Sequence, residues 1–76
     1  MTIFEHLGER LKLLRKQQKQ TIATVSQATG IAIPSYKKYE AGKSNPTLSK
    51  LYALAEYFNV SLDYLTGRTS KQKINY

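Results

Sequence analysis

Residues 21–42 read TIATVSQATGIAIPSYKKYEAG, and the fold turns on whether they form a strand or two short helices. Their many Thr, Val and Ile residues favour a strand by propensity. The spacing favours a helix: Ile22, Val25 and Thr29 step by three and four, Thr21 is a good N-cap, and Gly30 falls where a helix stops in the left-handed conformation. A short helix over 22–28 is the better reading. Pro34 fits the first turn of a further helix, and the residue before a proline is pushed out of helical dihedrals, which suits Ile33 as the flank. Gly42 ends that helix after about two turns.

On the amino-terminal side, Ile3 or Phe4, Leu7, Leu11 and Leu14 form the stripe of an amphipathic helix over about 3–18, with Thr2 as cap and Glu5 well placed in the first turn. Gly8 lies inside it and costs about 1 kcal/mol relative to alanine, so either something packs closely there or nothing follows from it. On the other side, Lys43 to Pro46 is turn-like, and Thr47 caps a helix whose Leu48, Leu51, Leu54, Ala55 and Phe58 line one face. Ser61 caps a last short helix with Asp63 near its positive end. Val60 closes over Leu65 as a hydrophobic staple, and Gly67 stops the helix. Five helices with short connectors make an all-α domain over 1–67, followed by a basic, flexible tail over 68–76.

The chain has 76 residues, enough for one small domain and too few for a separate sensor or catalytic lobe. Hydrophobic residues make up 41% of it, ordinary globular usage that argues against wholesale disorder. The lack of cysteine removes disulfides, thiolate catalysis and the usual structural zinc sites. No apolar run reaches the length of a membrane span and no secretory signal is visible, which points to the cytoplasm. Catalysis is poorly supported as well: His6 stands alone, and no glycine loop for phosphates is present. The reading is a binding protein without a cofactor or metal, not an enzyme.

Charge then carries the functional argument. The net charge of +7 on so small a chain points to a polyanionic partner. Residues 1–19 and 32–50 each sum to +3, residues 20–31 carry no charge, and 51–66 hold only Glu56 and Asp63. One side is therefore basic and the other mildly acidic. Placing the third helix at 100° per residue turns Tyr36 and Tyr39 to the core and Pro34, Lys37, Lys38 and Ala41 outward. Lys37 and Lys38 near the helix amino end meet a slightly unfavourable macrodipole, which leans toward an external anion. A face of small residues and two lysines suits a major groove. Glu40 points inward, where a carboxylate needs a partner. The first helix offers Arg15 or Arg10, and the expected bond is Arg15 to Glu40.

The runs LGERLKLLRKQQKQT (7–21) and SYKKYEAGKSNPTLSKLYALAEYFNVSLDYLTG (35–67), joined by the short helix ending at TGI, closely resemble the lambda-repressor and Cro-type helix-turn-helix family of transcription regulators. KYEAGKSNPTL (38–48) and NVSLDYLTG (59–67) are the most specific parts. The resemblance covers about residues 7–67. It implies a compact five-helix, lambda-repressor-like DNA-binding domain. It also implies that Ala32 to Ala41 is the recognition helix, with base-reading positions at Ile33, Pro34, Lys37 and Lys38 and Ser35 as a further polar reader. Ile33 and Pro34 offer apolar contact only, for instance to thymine methyls. Thr21 and the amide of Ile22 correspond to a phosphate anchor, Lys43, Ser44 and Asn45 to the loop that grips the DNA backbone, and Arg15 with Glu40 to a structural ion pair.

Two functions follow as expectations. One is a sequence-specific regulator of duplex DNA, most simply a repressor of phage, plasmid or bacterial type, acting as a homodimer with each third helix in a major groove. The other is an interaction module, an antitoxin or antirepressor, that works through aromatic surface such as Tyr52, Tyr57 and Tyr64.

Overall fold

The computed structural model describes residues 3–70 and 72, and among these the chain is all-helical. Helix α1 spans Ile3–Gln17, α2 Ile22–Thr29, α3 Ile33–Glu40, α4 Leu48–Phe58 and α5 Leu62–Leu65. The caps explain the boundaries. Thr21, Thr47 and Ser61 have extended backbones and accept hydrogen bonds from the amides of Thr24, Lys50 and Tyr64 respectively. Gly30 ends α2 at φ +75°, and Asn59 ends α4 in the same left-handed region at φ +59°. The Thr2 cap of α1, and the side chains of Ile3, Phe4 and Glu5, lie outside the described residues.

Each helix turns one stripe inward. Leu7, Leu11 and Leu14 of α1, Val25 of α2, Tyr36 and Tyr39 of α3, and Leu54, Ala55 and Phe58 of α4 join Ile31, Val60, Tyr64 and Leu65 in one buried cluster. Ile22, Leu51, Tyr57 and Leu62 pack against its edge. The strand-prone composition of 21–33 is thus overridden by burial of one helical face, as the three-and-four spacing of Ile22 and Val25 anticipates.

Three expectations need correction. Leu48 does not line the core: it is 74% exposed, because it is the first residue of α4 and its side chain projects beyond the neighbouring helices. Ile33 opens α3, with Pro34 second, and the extended flank is Ala32. The proline is tolerated there because a first-turn amide has no intrahelical acceptor to lose. The start of the expected flexible tail is tied down. The Ser61 amide donates to the Gln72 carbonyl at 3.0 Å, and Arg10 donates to the carbonyls of Thr69 and Tyr64. Lys71 and residues 73–76 lie outside the described residues.

Gly8 is where α1 meets α3 most closely. A Cβ there would stand 2.7 Å from the backbone oxygens of both Tyr39 and Glu40. Neither carbonyl can swing aside as a side chain could, so the glycine is required for the approach. Gly8→Ala should therefore lower stability by about 2 kcal/mol through overpacking, despite the better helix propensity of alanine. A circular-dichroism melt checks this, and an unchanged or raised midpoint would refute it.

Candidate nucleic-acid interface

The segment from Thr21 to Asn45 presents the surface in question, and its rigidity starts with the turn between α2 and α3. Gly30 supplies the left-handed residue and Ile31 drops into the core at 1% exposure. The Ser26 hydroxyl donates to the Ile31 carbonyl, and the Thr29 hydroxyl donates to the Val25 carbonyl at 2.7 Å. With its polar groups satisfied and one side chain buried, this connector holds α2 and α3 in one relative orientation.

Helix α3 is placed from behind. Tyr36 and Tyr39 are buried, and Glu40 meets Arg15 of α1 through two hydrogen bonds, Nε to Oε2 at 2.7 Å and an amino group to Oε1 at 3.1 Å. This is the expected Arg15 to Glu40 bond. A bidentate, charge-assisted pair at 16% and 9% side-chain exposure is well shielded from solvent screening. The hydrogen bonds to Glu40 hold the Arg15 pKa above its ordinary value. Arg10, the alternative partner, instead lies over the Tyr64 ring, 4.3 Å from its centroid. The Tyr36 hydroxyl is buried beside the ion pair without a hydrogen-bond partner among the described residues. Burial, reinforced by the Glu40 carboxylate, pushes its pKa far above the ordinary value near 10.

The outward side of α3 is open. Pro34, Lys37, Lys38 and Ala41 are exposed, Ile33 is 41% exposed, and Ser35 is half-buried. Lys37 and Lys38 lie in the last turn of this eight-residue helix, not near its amino end as expected. The macrodipole there favours their charge, so the supposed penalty and the external anion inferred from it both fall away. Exposure and positive charge still favour an anionic partner. Beyond α3, the Lys43 amide donates to the Lys38 carbonyl at 3.0 Å, which folds the loop back against the helix end. Lys43 and Asn45 are exposed, Ser44 is half-buried, and Pro46 is buried beneath them.

At the other edge, the Thr21 hydroxyl accepts from the Thr24 amide and shares a 2.8 Å hydrogen bond with the Thr24 hydroxyl. The Ile22 side chain packs against the edge of the core and offers no polar contact. The sequence reading missed what fixes this end. Gln18 donates to the Phe58 carbonyl at 3.1 Å, Tyr57 donates to the Gln20 side-chain oxygen at 2.7 Å, and Arg15 reaches the Gln20 carbonyl. Glutamines after the last apolar residue of a helix carry no periodic signal, so only the fold reveals the clamp. Among the described residues there is no group of acidic, His or Cys side chains that could hold a metal, and no helix is long and apolar enough to cross a membrane.

Two stability measurements test this arrangement. Glu40→Ala leaves the Arg15 charge without its partner and should cost about 2 kcal/mol in urea unfolding, and a loss below about 0.5 kcal/mol would show the pair to be ornamental. Tyr36→Phe removes an unpartnered hydroxyl and should be neutral or slightly stabilising at pH 7. Because folding raises the Tyr36 pKa, the folded protein keeps a proton that the unfolded chain releases above about pH 10, so stability falls as pH rises past that value. Tyr36→Phe should flatten this alkaline loss, and an identical decline in parent and variant would contradict the assignment.

Comparison with known proteins agrees with this geometry. A helix-turn-helix family model matches residues 11–65. The chain is 44% identical over 61 residues to the uncharacterized HTH-type transcriptional regulator YobD of Bacillus subtilis, covering 80% of this chain and 54% of that protein. It is 42% identical over 62 residues to the cryptic phage CTXphi transcriptional repressor RstR of Vibrio cholerae, covering 82% and 55%. A further match, at 38% identity over 65 residues, is the HTH-type transcriptional regulator AnsR of Bacillus subtilis, covering 86% and 55%. The chain thus spans about half the length of these relatives. No solved structure matches it significantly. The matched segment runs from the middle of α1 to the end of α5 and includes the α2–turn–α3 unit, so the chain belongs to the helix-turn-helix family.

Proposed function

We propose that this chain is the sequence-specific, duplex-DNA-binding domain of a transcriptional regulator, acting as a repressor of phage, plasmid or bacterial type. The observation that carries the reading is the open, cationic side of α3, with Lys37 and Lys38 exposed on a helix locked from behind by Arg15 and Glu40. In this reading α3 enters the major groove. Lys37, Lys38 and Ser35 supply polar contacts to base edges, while Ile33 and Pro34 supply apolar ones. Lys43, Ser44 and Asn45 hold the backbone on one side, and Thr21 with the amide of Ile22 holds a phosphate on the other. The domain works in the cytoplasm as a two-fold dimer, with half-sites about 34 Å apart and neither cofactor nor catalysis involved. The name of the Vibrio cholerae relative, a transcriptional repressor, supports the same direction.

The rival reading, a protein-interaction module built on tyrosines, loses most of its surface. Of Tyr52, Tyr57 and Tyr64, on which that reading stands, Tyr64 is buried and Tyr57 is half-buried and hydrogen-bonded to Gln20, which leaves Tyr52 exposed.

Selection of preferred duplexes from a random pool, followed by titrations of variants, tests the proposal. Lys38→Ala should cost about 1–3 kcal/mol on the selected sequence and far less on random duplex. Lys43→Ala should weaken both alike and reduce the slope of log affinity against log salt by about 1. Equal losses on both duplexes for Lys38→Ala would remove it as a base reader. Failure of the parent chain to bind any duplex at micromolar protein and low salt would sink the function itself.

A further inference from the structure

We infer that Lys19, in the turn between α1 and α2, is a further contact to the duplex backbone, and that Gln18, Gln20 and Tyr57 are positioning residues that hold it in a conformation lysine otherwise avoids; this rests on the DNA reading above and extends it. Two backbone hydrogen bonds close the end of α1: the Gln20 amide donates to the Arg15 carbonyl at 2.9 Å, and the Lys19 amide to the Lys16 carbonyl at 3.2 Å. That pattern requires a left-handed residue at position 19, and Lys19 takes φ +55°. Glycine is the usual occupant of such a position, because a Cβ there crowds the following carbonyl oxygen. Among the described residues only Lys19 and Asn59 have a positive φ without being glycine, and asparagine tolerates the region. Lysine has no such local reason to be there.

The neighbours of Lys19 enforce the turn. On one side, Gln18 donates to the Phe58 carbonyl at 3.1 Å. On the other, the Gln20 side chain donates to the Gln18 carbonyl at 3.2 Å and accepts from the Tyr57 hydroxyl at 2.7 Å, while the Gln20 carbonyl accepts from Arg15 at 3.3 Å. A strained backbone held in place from both sides points to a use for the side chain it carries. Among the described residues nothing uses that side chain: it is exposed and makes no hydrogen bond or ion pair. The helix dipoles give it little, since the negative end of α1 and the positive end of α2 meet at this turn, and Arg15 and Lys16 already lie in the last turn of α1. An external anion has a use for it. Residues 20–31 carry no charge, so the phosphate held by Thr21 and the Ile22 amide in the functional reading meets no cation along α2. Lys19, two residues before Thr21, supplies one.

Paired measurements of melting and of duplex binding, the latter well below every melting midpoint, test this. Lys19→Gly should move the two in opposite directions. Its midpoint should rise by roughly 4 °C as the Cβ strain is lost. Its affinity should fall several-fold on selected and random duplexes alike, with the slope of log affinity against log salt reduced by about 1. Lys19→Arg should bind as the parent does. Tyr57→Phe keeps the ring packed edge-on against Phe58 at a centroid separation of 5.1 Å. It should weaken binding about twofold in the parent and leave it unchanged in the Lys19→Gly background, where the positioned group is already gone. A Lys19→Gly variant with the parent's affinity and salt slope would overturn the contact, and one with an unchanged or lower midpoint would overturn the strain. Equal losses for Tyr57→Phe in both backgrounds would remove its positioning role. A parent that binds no duplex would defeat the DNA reading itself and the Lys19 contact with it, whereas the melting comparison, made without DNA, decides the strain independently.

Discussion

The seating of α3 on α1 is the contact on which the rest of the molecule depends. Eight residues are too few to hold a helix in water, and α3 has no side-chain cap at its start. Its order comes from Tyr36 and Tyr39 in the core, from the close approach of its carboxyl-terminal carbonyls to Gly8, and from the fork of Arg15 on Glu40. These three contacts act at different points along the helix and together fix its depth, tilt and rotation. The outward side can therefore be given over to lysine, proline and alanine without loss of order.

The cationic residues of the helices divide by type, while Arg68, beyond α5, is exposed. Arg10 and Arg15 are turned inward, one over the Tyr64 ring and onto two carbonyls, the other onto Glu40 and the Gln20 carbonyl. Every described lysine is exposed. The planar guanidinium keeps its charge when partly buried and fills several acceptors at once, whereas an ammonium loses more hydration for fewer directed bonds. The exposed cationic surface of the helices is thus made of lysines, adjustable by substitution with little effect on the fold. Of the acidic residues with described side chains, Glu40 is built into the domain, Glu9 is exposed on α1, and Glu56 and Asp63 lie exposed on α4 and α5.

Local rules suffice for much of the fold. Caps at Thr21, Thr47 and Ser61, the left-handed stop at Gly30 and the inward stripe Leu7, Leu11 and Leu14 all depend on neighbours within a few residues, and all stand in the structure. The Arg15 to Glu40 bond was legible too, because a carboxylate on a buried side demands a cation and few were offered. Leu48 misled because periodicity gives a side chain's direction along the helix and says nothing of whether another element lies there. Lys37 and Lys38 were placed at the wrong pole of α3 because a helix this short has almost no middle. The Gln18, Gln20 and Tyr57 clamp went unseen because polar residues outside a stripe have no preferred partner until the chain is folded.

The chain's own order of residues therefore determined the number and type of its elements, the inward faces and the cationic character of α3, since each follows from spacing, capping and charge along the backbone. Only the tertiary structure decided that Gly8 must be glycine, which glutamines brace α2, how deep Glu40 lies, and which apolar residues of α4 are left outside. Those outcomes depend on distances between segments far apart in the chain, and such distances are set by how whole helices pack.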